Sequence, residues 1–147
     1  MNKKIQKISE NTFDISEYLV HLDKKDLLKK DFKNPIGIVN YHVSCHLKAQ
    51  QMGFKGRDIL RLVPDTKVNL INRCSGMDGG WGMKSEYFDT SMKVAERCVN
   101  DLNQKESDIA CSDCSLASHQ LKQASDGEVM LSHPVIELHK AYGIKNN

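Results

Sequence analysis

The chemistry available to this 147-residue chain lies in five cysteines and a few histidines. Cys45 stands in YHVSCH between His42 and His46, Cys74 opens CSGMDGGWG, Cys111 and Cys114 form a Cys-x-x-Cys, and His133 lies in SHP. Five is an odd number, and the opening MNKKIQKISENTFD has no apolar middle of a signal peptide. Both features argue against a disulfide framework and for reduced cytosolic thiols that are structural, catalytic or metal-bound. Cys45 and Cys74 read as ligands or reactive thiols, and Cys111 with Cys114 as a metal or redox pair. Cys98, between Ala95 and Leu102, reads instead as a small buried apolar residue. His133 reads either as a ligand or as a hydrogen-bonding residue at a strand end. His119 and His139 read as surface or capping residues, and His21 has no partner in view.

The loop GMDGGWG fits neither the dinucleotide nor the P-loop phosphate pattern. Glycines beside a metal thiolate have another use, since bare backbone lets N–H groups approach sulfur closely and tune a cluster. Gly76, Gly79 and Gly80 are expected in that role. Trp81 reads as a packing residue, or as a wall that keeps water from the site.

The order of elements would bring these residues together. A helix is expected from Thr12 with Thr12 or Asp14 as its cap, a strand in IGIVNYHV, and then a helix interrupted by Gly53 and Gly56. A strand follows in TKVNLIN, and then a helix over Ser85 to Asn103, where Phe88, Met92, Ala95, Val99 and Leu102 form one stripe. SDIAC and EVMLSH read as two more strands, each followed by a helix, the last with Pro134 in its first turn. Alternating strands and helices predict an α/β fold, a single domain with about four mostly parallel strands and helices on both faces. Cys45, Cys74, Cys111, Cys114 and His133 then fall at the carboxyl ends of the strands, on one edge. Three or four thiols with an imidazole there form the ligand set of an iron–sulfur cluster or of zinc.

Bulk properties narrow the alternatives. The net charge of +2 is too small to imply nucleic acid, and Lys24 to Lys33 reads as a solvated face. No apolar stretch approaches the ~18 residues of a membrane span. Residues 1–11 are expected as a disordered leader and residues 12–147 as the domain.

From about Phe13 to Ile144 the chain resembles the cysteine-rich CCG domain. YHVSCH, RCSGMDGGWGMK with SEYFDTSMK, SDCSLASHQL and HPVIELHKAYG carry the likeness in order. That domain occurs, usually twice, in the B subunit of heterodisulfide reductase, the iron–sulfur subunit of glycolate oxidase and the C subunit of anaerobic glycerol-3-phosphate dehydrogenase. The chain is most similar to the C-terminal repeat of the last group. The family pattern is a single cysteine, then Cys-Cys-Gly, then Cys-x-x-Cys. On it, Cys45 matches the single cysteine and Cys74 the first of the pair, with Ser75 in place of the second. Cys114 matches the first cysteine of the third motif and Ala117 its second, which leaves Cys111 as an extra. The Cys-Ser-Gly form looks like a subtype rather than damage.

The resemblance implies an iron–sulfur cluster, [4Fe–4S] in type, held by Cys45, Cys74 and Cys114 with a fourth ligand from Cys111, His133 or another nearby group. It implies electron transfer between a flavoprotein dehydrogenase subunit and a quinone or other acceptor. A ferredoxin-like or first-repeat iron–sulfur subunit would be a further partner. The setting would be cytoplasmic, reaching the inner face of the membrane only through partners. Relatives of this type carry further iron–sulfur segments, so the chain resembles only their last third, as a fragment or one gene of a split pair. Two other readings stand beside this one. Cys45, Cys74 and Cys114 with His133 would suit tetrahedral zinc in a docking module without redox turnover. Cys111 and Cys114 could also act as a catalytic dithiol.

Overall fold

The apolar run IGIVNYHV becomes the central strand. In the computed structural model, which describes residues 2–144, β1 spans Ile38–His42 and its last four residues are buried. Burial on both faces is the mark of a strand covered by helices above and below. β2 spans Lys67–Ile71, β3 Ile109–Ser112 and β4 Leu131–Ser132. The sheet order is β2-β1-β3-β4, and every pairing is parallel. The α/β architecture expected from the alternation is therefore present. β4 is shorter than EVMLSH implied, because only Leu131 and Ser132 find partners on β3.

Asp14 rather than Thr12 caps α2, Ile15–Lys24, by accepting from the Ser16 N–H at 2.8 Å. The interrupted helix splits into α3, Cys45–Ala49, and α4, Lys55–Leu60. Two short 3-10 turns, Trp81–Met83 and Ser85–Tyr87, lead into α5, Phe88–Gln104. α6 covers Ser115–Ala124, and α7 covers Pro134–Ala141 with proline in its first turn.

Strand alternation sorts the core into two layers. On one face Ala95, Cys98, Val99 and Leu102 of α5 and Leu121 of α6 pack with Ile71. On the other, Val39, Tyr41 and Cys111 pack with Leu47 of α3 and Leu60 of α4. α2, α4 and α7 meet further out around Ile59, Val63 and Leu138. On this second face the Tyr41 hydroxyl donates to the Asp113 carboxylate, which also accepts from Ser16 Oγ at 3.0 Å. Burial, with that carboxylate beside it, pushes the Tyr41 phenol well above its usual value and keeps it a donor.

Residues 3–10, expected within a disordered leader, instead form the helix α1, Lys3–Glu10, which buries none of its residues. Its ends are satisfied locally. Asn2 accepts from the Lys4 N–H at 3.0 Å, Gln6 bonds Glu10 at 2.9 Å, and Asn11 and Thr12 donate to the last turn. Residues 145–147, at the end of the expected domain, lie outside the described residues.

Candidate metal centre

Parallel pairing delivers three loops to one edge of the sheet. Cys45 is the first residue of α3 after β1, Cys74 follows β2, and Cys114 is the cap residue of α6 after β3. All three line a single cavity of about 230 Å³, together with His42, Ser44 and Ser75. Cys45 and Cys74 are exposed, and Cys114 is half-buried. Lys48 brings positive charge to the same walls and Asp78 negative charge, while the Arg73 guanidinium is paired with Asp101 at 2.7 Å. Among the described residues no three His, Cys, Asp or Glu side chains form a group able to hold one metal ion as they stand. The thiols ring a space rather than converge on a point.

Local backbone chemistry serves two of the sulfurs. Cys74 Sγ accepts from the Gly76 N–H at 3.4 Å, and Cys114 Sγ accepts from the Ala117 N–H at 3.5 Å at the positive end of α6. Gly76 sits at φ +81°, and a Cβ there would lie 2.2 Å from the Ser91 carbonyl oxygen on α5. Gly82 closes the same loop, since its Cβ would stand 2.5 Å from the Gly76 carbonyl oxygen. These two glycines let the loop lie flat on α5 and on itself, which fixes where Cys74 emerges. Gly79 lines the cavity. Gly80 is not among the residues lining the cavity, and a Cβ there would meet nothing within 4 Å. Trp81 stacks on Tyr87 with ring centroids 5.0 Å apart, a packing role outside the cavity lining.

A buried network ties the three cysteine loops together. His42, 2% exposed, has Nε2 3.1 Å from the Arg73 carbonyl and Nδ1 3.1 Å from Ser112 Oγ. A carbonyl only accepts, so Nε2 carries the proton and Nδ1 accepts from the Ser112 hydroxyl. Ser112 Oγ in turn accepts from the Cys114 N–H at 3.2 Å, and its remaining lone pair takes the Ser44 hydroxyl, 3.2 Å away. Ser44 and Arg73 immediately precede Cys45 and Cys74, so one unit braces all three loops.

Burial holds His42 below its ordinary value of 6.5. The unfolded histidine takes up a proton below pH 6.5 while the folded one stays neutral. This contribution to stability is therefore complete above 6.5 and is lost as pH falls toward the folded value. His42→Gln is expected to cost about 2 kcal/mol by leaving buried partners unpaired. In urea unfolding at a series of pH values, the variant is expected to lose less stability than wild type between neutral pH and pH 5.

Two residues expected as ligands are elsewhere. Cys111 is fully buried in the core beneath β1 and β3, and burial pushes its thiol well above its ordinary range. Strand parity explains the difference. Cys111 lies opposite Tyr41 and shares its face, whereas Ser112, one residue on, lies opposite His42 and reaches the cavity network. The dithiol reading of Cys111 and Cys114 fails for the same reason. His133 caps α7, its Nδ1 accepting from the Val135 N–H at 3.2 Å, and lines a second cavity with His119 and Lys122. The tetrahedral set that included His133 is therefore not assembled. Cys98 is buried in the α5 core as expected, its thiol pushed up to about 12 by burial. Cys111→Ser would leave a hydroxyl in an apolar core, with an expected cost of about 2 kcal/mol in urea unfolding.

The family model of the CCG cysteine-rich domain matches residues 39–122. The chain belongs to that family. The CCG match runs from β1 into α6, so it takes in Cys45, Cys74, Ser75 and Cys114 and stops short of His133. The C subunit of anaerobic glycerol-3-phosphate dehydrogenase from Escherichia coli K12 is 23% identical to this CCG protein over 108 residues. Its counterpart from strain O157:H7 matches to the same extent. The matched segment is 73% of this chain and 26% of each relative, so the chain spans about a quarter of the length of the curated relatives it matches. No solved structure matches. Among the described residues, no helix is long and apolar enough to cross a membrane.

Proposed function

We propose that this CCG domain holds an iron–sulfur cluster of the [4Fe–4S] type through Cys45, Cys74 and Cys114. In this reading the domain serves as an electron-transfer component of an oxidoreductase like anaerobic glycerol-3-phosphate dehydrogenase. The observation that carries the reading is the lining of one cavity by three unpaired thiols at the carboxyl edge of a parallel sheet. Thiolates suit soft iron, and sulfurs that accept backbone N–H groups are the ordinary means of setting a cluster's potential.

The residues of this chain have distinct tasks. The three cysteines anchor the cluster, Gly76 and Ala117 donate to two of the sulfurs, and Lys48 offsets negative charge at the rim. When bound, the cluster supplies one-electron chemistry, and the protein supplies position and electrostatics. Electrons would pass between a flavoprotein dehydrogenase subunit and a quinone or another acceptor. Partner iron–sulfur subunits would relay them, and the chain would sit in the cytoplasm and reach the membrane only through partners.

The test is reversible redox behaviour of the anaerobically purified protein. Its visible absorbance is expected to bleach with dithionite and return on addition of a soluble quinone. A filled site that neither bleaches nor recovers would leave a structural cluster without electron transfer, and the redox reading would be wrong.

A further inference from the structure

Three thiols leave a cluster one protein ligand short, and neither Cys111 nor His133 reaches the cavity. We infer that Ser75 supplies an oxygen ligand at this site, an assignment that rests on the cluster reading above. Ser75 is 8% exposed and lines the cavity together with Cys45, Cys74 and Cys114. Its hydroxyl has no hydrogen-bond partner among the described residues, and it is not sealed away from the cavity. The hydroxyl is open to the cavity and is committed to no acceptor or donor among the described residues, so it is free to meet a group bound there. The group that fills the cavity is the partner this one lacks.

The backbone accounts for how two adjacent side chains serve one site. In an extended chain successive side chains point to opposite sides. Here Gly76 turns the chain at φ +81° and returns its N–H to Cys74 Sγ, a tight turn with Ser75 at its centre. Cys74 and Ser75 therefore both line the same cavity. Of the other oxygen and nitrogen donors on the walls, His42 and Ser44 are engaged in the bracing network, Asp78 is exposed and His46 is partly exposed. Asp78 and His46 are both more exposed than Ser75, which the Gly76 turn holds directly beside Cys74.

Ligation is a simple exchange. With a cluster bound, the Ser75 oxygen would bond to iron in place of its own hydroxyl proton, which would leave to solvent at the mouth of the cavity, and no electron would move. An alkoxide is a harder donor than a thiolate and favours the more oxidised iron, so this ligand lowers the potential of the site.

The experiment compares wild type, Ser75→Ala and Ser75→Cys, reconstituted anaerobically with iron and sulfide. Iron and sulfide analysis, EPR, potentiometry and far-UV circular dichroism are the readouts. Ser75→Ala is expected to keep the fold but to lose one iron on mild oxidation and show the EPR signal of a three-iron form. Ser75→Cys is expected to keep the full cluster at a higher potential than wild type. The inference is overturned if Ser75→Ala matches wild type in iron content, EPR signal and potential. It is also overturned if His46→Ala or Asp78→Asn, and not Ser75→Ala, gives the three-iron form. Failure of the cluster reading itself is distinguishable, because wild type would then hold no iron and sulfide in the first place, and the Ser75 assignment would fall with it.

Discussion

Gly76→Ala is expected to be the most destabilising single substitution in the cysteine loops. The native φ of +81° lies in the left-handed region, where a side chain costs about 1–2 kcal/mol. The added Cβ would also stand 2.2 Å from the Ser91 carbonyl oxygen and 3.4 Å from the Ala95 nitrogen. Both are backbone atoms of α5, so no rotamer change can relieve the contact, and overpacking of this kind costs about 1–3 kcal/mol. Together these effects predict a loss of about 3 kcal/mol and a fall in Tm of roughly 10 °C. Because Gly76 also donates to Cys74 Sγ and fixes the exit of the loop, the variant is expected to lose its bound metal at temperatures where it remains folded. Gly80→Ala is the natural control, since a Cβ there meets nothing and the residue lines no part of the cavity. Thermal unfolding of both variants by circular dichroism checks the contrast.

The second large effect separates the five cysteines by place rather than by sequence motif. Cys45→Ala, Cys74→Ala and Cys114→Ala are each expected to abolish stable retention of iron and sulfide with little change in melting temperature of the metal-free protein. Two of these side chains are exposed and the third is half-buried, so little core packing is lost. Cys98→Ala and Cys111→Ala are expected to do the reverse. Both side chains are fully buried in apolar clusters, so truncation costs about 1 kcal/mol through lost packing while metal content stays at the wild-type level. Metal analysis together with urea unfolding of all five variants distinguishes the two groups. A loss of metal on replacing Cys111 would show that the strand-parity account is wrong.

Much of this arrangement was legible in the chain. The alternation of strands and helices fixes a parallel sheet, and parallel strands put the ends of IGIVNYHV, TKVNLIN and SDIAC on one edge. That is enough to bring Cys45, Cys74 and Cys114 to one cavity. It does not settle the side chain at a strand's last residues, where a shift of one position exchanges core for site. Cys111 fell on the wrong side of that parity, and Ser112 on the right one. Nor does sequence spacing tell a ligating histidine from a capping one, and His133 is a cap because Pro134 begins a helix directly after it.

The bracing unit of His42, Ser112 and Ser44 was the least legible part. It depends on the register that sets His42 opposite Ser112, residues 70 apart in the chain. The available signal was modest. His42 flanks Cys45, and a polar residue in a strand covered on both faces must find buried partners. Ser44 gave a misleading cue. It stands at the start of α3 as a capping serine would, yet its hydroxyl makes no cap bond and lies within hydrogen-bond distance of Ser112. The N-terminal helix α1 was missed because its support is entirely local, made of caps and side-chain pairs without an apolar face in the core.

The composition of the site in protein purified without oxygen decides whether the three thiols hold a cluster. Iron and acid-labile sulfide are measured by chemical analysis, zinc by mass spectrometry, and the dithionite-reduced sample by EPR. Iron and sulfide in equal amounts are expected, with a brown colour and a signal on reduction that disappears in the Cys74→Ala protein. Colourless protein carrying one zinc, or protein with neither metal after anaerobic reconstitution, would contradict the cluster reading.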